Sequence, residues 1–279
     1  MTSLDEAHSA ETLRSGAIRV LNDVLEVVRT QRGLDFGAYR RGTLERRLLN
    51  RMVAARVSSA DAYLSLLHNS EDEVDRIASN LTIKVSRFYR NASVFEALRD
   101  HAVPALRERY PHESLRVWSA GCATGEEAWT LAMILGEDRV IATDIDIESL
   151  AIGARGRYAS HSLIEAPATT ALFPMASDPG VWSVSDELRR RVTFLRHDLA
   201  AANGPPGETR YHLICCRNVL IYFERDLQVR TLNLLVASLL PEGVLCLGEA
   251  EWPGAVIESL EVLDRRQKIF RLRKAMEIQ

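Results

Sequence analysis

Glycines and carboxylates cluster around one short segment that could bind a nucleotide-like cofactor. The sequence WSAGCATGEEAWTLAM, residues 118–133, places Gly121 and Gly125 in a turn between a predicted strand and a predicted helix. Glycine lets the backbone approach a ligand closely. Asp144 follows the next predicted strand, roughly 20 residues after the turn, where a doubly wound sheet binds a ribose diol. The segment therefore predicts a site for a ligand that contains a ribose.

The acidic start of the following helix indicates which ligand this is. Glu126 and Glu127 lie where a dinucleotide-binding turn normally holds pyrophosphate, which they would repel. The turn also reads G-x-x-x-G and not the dinucleotide fingerprint G-x-G-x-x-G. S-adenosylmethionine has no phosphate and carries a cationic sulfonium and an amine. These residues favour a methyl-donor site over an NAD site, and a tight strand–helix turn without a ligand stays open as an alternative.

Composition and charge limit the class of protein. The chain has 279 residues, of which 47% are hydrophobic, and a net charge of −3. This charge gives no overall indication of nucleic-acid binding. The four cysteines form no C-x-x-C pair, so we expect neither a metal site nor a disulfide framework. Because no apolar run could span a bilayer and residues 1–13 do not resemble a signal peptide, we expect a cytoplasmic protein without membrane insertion.

Helical periodicity gives way to strand–helix alternation along the chain. The predicted helices of the first part cover residues 18–32, 39–57, 58–69, 72–81 and 94–110, after a loose arm at 1–15. Strands then alternate with helices, which predicts a parallel α/β sheet with a final strand pair. We predict an N-terminal helical domain over 14–92 and a second domain over 93–279, with a β-subdomain inserted at about 158–197.

The second predicted helix has an unusual outer face. It carries Arg40, Arg41, Arg46, Arg47, Arg51 and Arg56 against a single acid, Glu45. A solvated helix surface is the simplest interpretation. A docking surface for an acidic partner is the alternative, and its attraction would weaken as salt rises.

Several stretches of the chain together resemble the CheR-type chemotaxis receptor methyltransferases. They are LTIKVSRFYR (81–90), WSAGCATGEEAWTLAM (118–133), ATDID (142–146), RHDL (196–199) and CCRNVLIYF (215–223), with GVLCLGEAE (243–251) as a weaker sixth. Their order and spacing cover about residues 18–274. The resemblance implies an α/β fold: an S-adenosylmethionine-dependent methyltransferase (Rossmann-like) sheet with an N-terminal helical domain and a small inserted β-subdomain.

The resemblance also implies an activity and a partner. CheR-type enzymes transfer the methyl group of S-adenosyl-L-methionine to glutamates on the cytoplasmic helices of chemoreceptors, which leaves methyl esters and S-adenosyl-L-homocysteine. The receptor helices would dock on the basic helix through Arg40, Arg41, Arg47 and Arg51.

The same resemblance assigns candidate site residues. Donor contacts would fall on Lys84, Ser86, Arg90, Ala120, Glu126, Asp144, Asp198, Leu199, Cys216 and Arg217. Arg90 and Tyr222 match the two residues that the family places near the transferred methyl, and they are the catalytic candidates. The chain departs from the family at Lys84, where a neutral amide is usual, and at Ala250, where serine is usual. Lys84 would put a cation near a cationic donor, which makes it the weakest of the contacts.

Two other functions remain open. One is a methyltransferase that acts on a small molecule or on nucleic acid. The motif of base methyltransferases, Asn/Asp-Pro-Pro-aromatic, does not occur, because Gly204-Pro205-Pro206 lacks its partners. The other is a CheR-like domain that binds the donor or its product as a signalling module without turnover, which the departures at Lys84 and Ala250 keep open.

Overall fold

The chain divides into two units, each with its own core. The structure, a computed structural model, describes residues 3–82, 84–167, 179–202 and 204–274. The first unit contains Met1–Ile83 and Tyr222–Leu227, and the second contains Lys84–Ile221 and Gln228–Gln279. The division therefore falls before Lys84, whereas the sequence led us to place it after residue 92.

Backbone hydrogen bonds explain this difference in the boundary. The Phe88 N–H donates to the Ser162 carbonyl at 3.0 Å, and the Tyr89 N–H donates to the Thr130 hydroxyl at 3.2 Å. Because these bonds stay within the second unit, the segment that begins at Lys84 belongs to that unit.

The first unit is built from amphipathic helices. Their bounds are α1 Ser3–Arg32, α2 Arg41–Ala54, α3 Ala60–Asn69 and α4 Glu71–Leu81. Helix α1 begins at Ser3, so the segment expected to be a loose arm is helical from that residue on. Ser59 is the N-cap of α3, since its hydroxyl accepts the Ala62 N–H at 3.2 Å. The core contains Leu21, Val24, Leu48, Met52, Leu67 and Ile77.

A buried glutamate on α4 uses the arginines of α2. Glu73 is 3% exposed and accepts two hydrogen bonds from Arg51, at 2.7 and 2.6 Å, and one from the Tyr63 hydroxyl at 2.9 Å. Burial, with the Glu73 charge beside it, raises the pKa of Tyr63 and keeps that hydroxyl protonated as a donor.

One turn away on α2, Arg47 donates to the backbone carbonyls of Asn80 and Thr82, which end α4. Arginine in this position satisfies carbonyls that lack a partner within the helix. Both Arg47 and Arg51 are thus occupied inside the first unit, which corrects the expectation that they lie on an open outer face. Arg40 and Arg41 are exposed, as expected, although Arg41 also pairs with Glu45 at 3.1 Å.

The second unit is organised by a mostly parallel sheet. In the part of the chain that the structure describes, this sheet has seven strands in the order β5-β2-β1-β6-β7-β9-β8. The strands are β1 Arg116–Ala120, β2 Arg139–Asp144, β5 Val192–Arg196, β6 Tyr211–Cys216, β7 Leu239–Leu247, β8 Leu260–Asp264 and β9 Ile269–Leu272. The first five run parallel, and β9 runs antiparallel to β7 and β8. Burial of β1 and β6 is nearly complete, as expected for central parallel strands.

Helices flank the sheet and connect its parallel strands. They are α5 Ala92–Ala97, α6 Val103–Arg109, α7 Glu126–Leu135, α8 Ile147–Arg155, α9 Asp186–Arg189 and α10 Arg225–Ala237. A π-helical turn, Leu98–Ala102, joins α5 to α6, so the long helix predicted over 94–110 carries a local bulge. None of the described helices is both long and apolar enough to cross a membrane.

The inserted β-subdomain is smaller than predicted. Strand β3, Arg157–Ala159, pairs antiparallel with β4, Val181–Ser183. Residues 192–196 were expected to belong to this insertion, but they form β5, which pairs in parallel with β2 along its whole length. That correction moves the end of the insertion to before β5. Residues 168–178, which include Pro174, lie outside the described residues.

Candidate functional site

The candidate site residues of the second unit collect at one edge of its sheet. Parallel strands end at the same edge, where open α/β sheets bind their ligands. Ala120 ends β1, Asp144 ends β2 and Cys216 ends β6. Asp198 and Leu199 follow the end of β5 by two and three residues.

The turn after β1 depends on its glycines for packing as well as for backbone conformation. Gly121 has φ 74°, and a Cβ there would stand 2.4 Å from a methyl carbon of Val219. Gly125 has φ 91° and is the N-cap of α7, and a Cβ there would stand 2.9 Å from the Phe194 ring. Any larger residue would push this turn away from the sheet edge.

Asp144 is held by the backbone of the glycine turn. Its Oδ2 accepts the Ala123 N–H at 2.9 Å, and its Oδ1 accepts the Asp146 N–H at 3.0 Å. Burial raises the pKa of this carboxyl, and the two N–H groups oppose that effect. A carboxylate has about four lone-pair sites, so it can still accept hydrogen bonds from a vicinal diol. The arrangement fits the ribose of S-adenosylmethionine.

Glu126 is a buried carboxylate at the start of α7. It is 3% exposed, and the hydroxyl of Thr124 donates to it at 2.7 Å. Burial raises its pKa, and hydrogen bonds from Thr124 and Ser86 lower it in part. Ser86, a predicted donor contact, therefore lies beside Glu126. A carboxylate in this position suits the amine or the ribose of a cationic donor, whereas it would repel a phosphate.

Arg217, another predicted donor contact, supports the backbone of Arg90. It is 7% exposed, donates to the Arg90 carbonyl at 2.8 Å, and pairs with Glu127 at 3.3 Å. Its guanidinium also lies over the Phe95 ring, 5.0 Å from the centroid. This geometry makes it a positioning residue for the segment that carries Arg90.

Lys84, which stands where the family usually has a neutral amide, is part of an ion-pair cluster. Its ammonium lies 2.5 Å from Asp146 and 3.0 Å from Glu148. Two carboxylates therefore offset its charge, and the repulsion of a cationic donor that the sequence suggested is reduced.

The two catalytic candidates lie in different compact units. Arg90 is half-buried in the second unit, and its Nη1 donates to the Val85 carbonyl at 2.9 Å. Tyr222 is half-buried and belongs to the first unit, where its backbone carbonyl accepts the Arg40 N–H at 2.8 Å.

The remaining predicted donor contacts lie at or near strand ends. Leu199 and Cys216 are buried, and Asp198 Oδ1 accepts the Ala200 N–H at 2.8 Å. Burial raises the pKa of the Cys216 thiol, so it stays neutral.

Sequence reasoning missed one residue of this edge, Glu251. It is 3% exposed, and its two oxygens accept the backbone N–H groups of Gly248, Asn218, Val219, Leu220 and Ile221, at 2.6 to 3.4 Å. One carboxylate thus fixes the turn after β6, in which Asn218 has φ 61°. The signal was an acidic residue four positions after the end of a buried strand, within the stretch 243–251 that carried the weakest resemblance.

Two protein-family models match the chain. Residues 84–268 match the family model described as CheR methyltransferase, SAM binding domain, and residues 20–82 match the one described as CheR methyltransferase, all-alpha domain. The chain is 33% identical over 264 residues to a Pseudomonas putida protein named putative methyltransferase Cher3, covering 89% of this chain and 94% of that protein. It is 30% identical over 243 residues to the chemotaxis protein methyltransferase of Escherichia coli, covering 82% of each.

One of the relatives is much longer than this chain. An uncharacterised 104.1 kDa protein of Rhodobacter capsulatus is 30% identical over 261 residues. The match covers 90% of this chain and 27% of that protein.

Proposed function

The chain belongs to the CheR family of S-adenosylmethionine-dependent chemotaxis methyltransferases, and we propose that it methylates glutamate side chains on the cytoplasmic helices of chemoreceptors. The observation that carries this proposal is Asp144, which the glycine turn holds at the carboxyl end of β2 with acceptor capacity left for a ribose diol. Membership of this family identifies the methyl donor as S-adenosyl-L-methionine. A cytoplasmic location is part of the same proposal.

The chemistry needs alignment more than it needs acid or base catalysis. A glutamate with a pKa of about 4.3 is ionised at neutral pH and is already a nucleophile. The bound donor supplies an electrophilic methyl group, and transfer to a carboxylate oxygen gives a methyl ester and S-adenosyl-L-homocysteine. Holding the reacting atoms in line can supply about 7–11 kcal/mol of the barrier.

The catalytic candidates fit the tasks of holding and orienting the acceptor. The guanidinium of Arg90 would hold the acceptor carboxylate by charge-assisted hydrogen bonds. The family resemblance assigns Tyr222 the task of orienting an acceptor through a hydrogen bond from its hydroxyl. On the donor side, Asp144 would bind the ribose and Glu126 the amine or ribose, while Ser86, Ala120, Asp198, Leu199 and Cys216 would line the remaining surface.

Docking of the receptor helices would use the exposed part of the basic helix. Arg46 is exposed and remains available for this role. Arg40 and Arg41 are exposed as well, but Arg40 Nε donates to the Phe223 carbonyl and Arg41 pairs with Glu45, so each would bind a partner with part of its guanidinium already occupied. Arg47 and Arg51 drop out, because they are occupied with α4.

Methyl transfer from radiolabelled donor tests the proposal. Purified cytoplasmic fragments of chemoreceptors should acquire alkali-labile label on glutamate, and peptide mapping identifies the residues. Asp144→Ala should strongly reduce transfer at a donor concentration that just saturates the wild type, because its affinity for the donor falls. Alkali-stable label on another residue or molecule would contradict the glutamate assignment. Calorimetric binding of donor and product without any transfer would support a binding module instead.

A further inference from the structure

The turn between β8 and β9 carries positive charge. Its sequence is Asp-Arg-Arg-Gln-Lys over residues 264–268. Arg265 and Arg266 are exposed and Lys268 is half-buried. Within the described part of the chain, no carboxylate lies within ion-pair distance of these three cations. The turn therefore presents three charges that its own fold leaves unneutralised.

This turn lies at the same edge of the sheet as the candidate site. Strand β9 runs antiparallel beside β7, so its start lies next to the end of β7, and the Leu247 N–H donates to the Lys268 carbonyl at 3.0 Å. On its other side, the Ser93 hydroxyl donates to the Gln267 side chain at 3.2 Å. Ser93 follows Arg90 by three residues, so the turn borders the segment proposed to hold the acceptor.

The backbone of the turn is fixed in advance. Asp264 Oδ1 accepts the N–H groups of Arg266 and Gln267, both at 2.9 Å. Lys268 adopts φ 57°, a conformation that ends the turn sharply. Because the Asp264 oxygen is committed to backbone donors, it helps to order the turn, and a partner would lose little further entropy on binding.

An exposed tryptophan completes this surface. Trp252 is 39% exposed and follows Glu251 directly. The Arg265 guanidinium lies 5.4 Å and the Lys268 ammonium 4.9 Å from its ring centroid, and Phe270 packs edge-on at 5.5 Å. A guanidinium that stacks on a ring keeps its in-plane N–H groups available for a carboxylate.

We propose that Trp252, Arg265, Arg266 and Lys268, here called the Trp252 surface, bind the acidic segment that surrounds the acceptor glutamate. The proposal rests on the proposed function and adds a second contact area beside Arg90. Charge complementarity carries it, because Arg265 and Arg266 are exposed and Lys268 is half-buried beside them. Glu249 is an exposed acid nearby in the chain. A glutamate-rich helix presents carboxylates three and four residues apart on one face, which matches several cations around one ring.

Direct binding tests the surface independently of catalysis. The probe is a fluorescein-labelled, glutamate-rich helical peptide, and the readout is anisotropy at low ionic strength. Arg265→Glu should weaken binding about tenfold, and the difference from wild type should vanish at about 1 M salt, where charges are screened within about 3 Å. The matched control is Arg139→Glu, which should bind as the wild type does. Arg139 is exposed and begins β2, at the edge of the sheet opposite the candidate site. Arg265→Glu binding equal to that of the control would overturn the proposal.

Methyl transfer supplies a second readout. With receptor fragments as acceptor, Arg266→Glu and Trp252→Leu should raise KM severalfold, while kcat and the calorimetric affinity for S-adenosylhomocysteine stay within about twofold of wild type. A loss of kcat at unchanged KM would overturn the docking role.

Two outcomes with the wild type separate this proposal from the proposed function. If the wild type binds the peptide but transfers no methyl, the proposed function fails and the surface proposal stands. If the wild type binds a single-stranded oligonucleotide and not the peptide, the surface proposal fails.

Discussion

The two units solve the same problem, a buried glutamate, in different ways. In the first unit, Glu73 is neutralised by the cation of Arg51 and by the Tyr63 hydroxyl. In the second unit, Glu251 is held by backbone N–H groups alone among the described residues. The first arrangement ties one helix to another, whereas the second shapes a turn. Arg51 is used to pair with Glu73 and is therefore not available to a ligand. The turn at Glu251 is fixed by backbone N–H groups and uses no side-chain cation among the described residues.

The largest effect is expected from removing the cation that pairs with Glu73. Breaking a buried ion pair costs about 3–5 kcal/mol, and Arg51→Ala should fall near the lower value because the Arg51 side chain is 17% exposed. The free energy of unfolding from denaturant titration measures it. The matched control is Arg46→Ala on the same helix, which should change stability by less than about 0.5 kcal/mol. Equal effects of the two variants would mean that α2 is a solvated surface after all.

Asp144→Ala should affect the ligand more than the fold. Loss of a charged acceptor for hydroxyl groups is worth about 1.5–3 kcal/mol, so the Kd for S-adenosylhomocysteine should rise by roughly 10- to 100-fold. Calorimetry measures this, with Asp186→Ala, at an exposed carboxylate, as control. A Kd unchanged in Asp144→Ala would remove the donor site from this edge.

Glu251→Gln sharpens the comparison by removing the charge and keeping the size. The amide has one acceptor oxygen, so some of the N–H groups around residue 251 lose their partner at a cost of about 1–3 kcal/mol. Methyl transfer should fall as well, because the turn after β6 loosens. Glu249→Gln, at an exposed position beside it, is the control. If Glu251→Gln lost stability but kept full activity, the turn would be structural only.

The smallest effect is a change of stability with pH. Burial raises the folded-state pKa of Glu251 above its ordinary value, although N–H donors oppose this. A raised pKa contributes stability that is complete below the unfolded pKa, about 4.3, and is lost as the pH rises through the folded value. The advantage of wild type over Glu251→Gln in free energy of unfolding should therefore shrink as the pH rises from about 4 to about 7. An advantage that grew with pH would mean that the N–H groups outweigh burial.

Local patterns in the sequence predicted the candidate donor site, whereas the long-range pairings could not be predicted from it. The glycine turn and Asp144 are adjacent in the strand–turn–helix pattern, so their spacing alone indicated a ribose site. Glu251 escaped notice because its partners lie about 30 residues earlier in the chain. Arg51 was assigned to an outer face because nothing within α2 reveals that Glu73 faces it from another helix.

Pairing partners also explain the error in the β insertion. A short strand such as β5 has the same apolar pattern whether it joins a hairpin or the main sheet. Its partner is β2, roughly 50 residues earlier, and only the register of β5 with Val140–Asp144 assigns it to the main sheet.

The segment Tyr222–Leu227 makes the first unit depend on residues that are synthesised late. Its Phe223 carbonyl accepts a hydrogen bond from Arg40, 183 residues earlier, and the Glu224 N–H donates to the Ala38 carbonyl. On a ribosome, the amino-terminal helices would therefore emerge long before the strand-like piece that completes them. Contacts of such sequence separation slow folding. A fragment cut after residue 82 would expose the surface that Phe223 covers, so the helical region should gain its full stability only when the chain extends past residue 227.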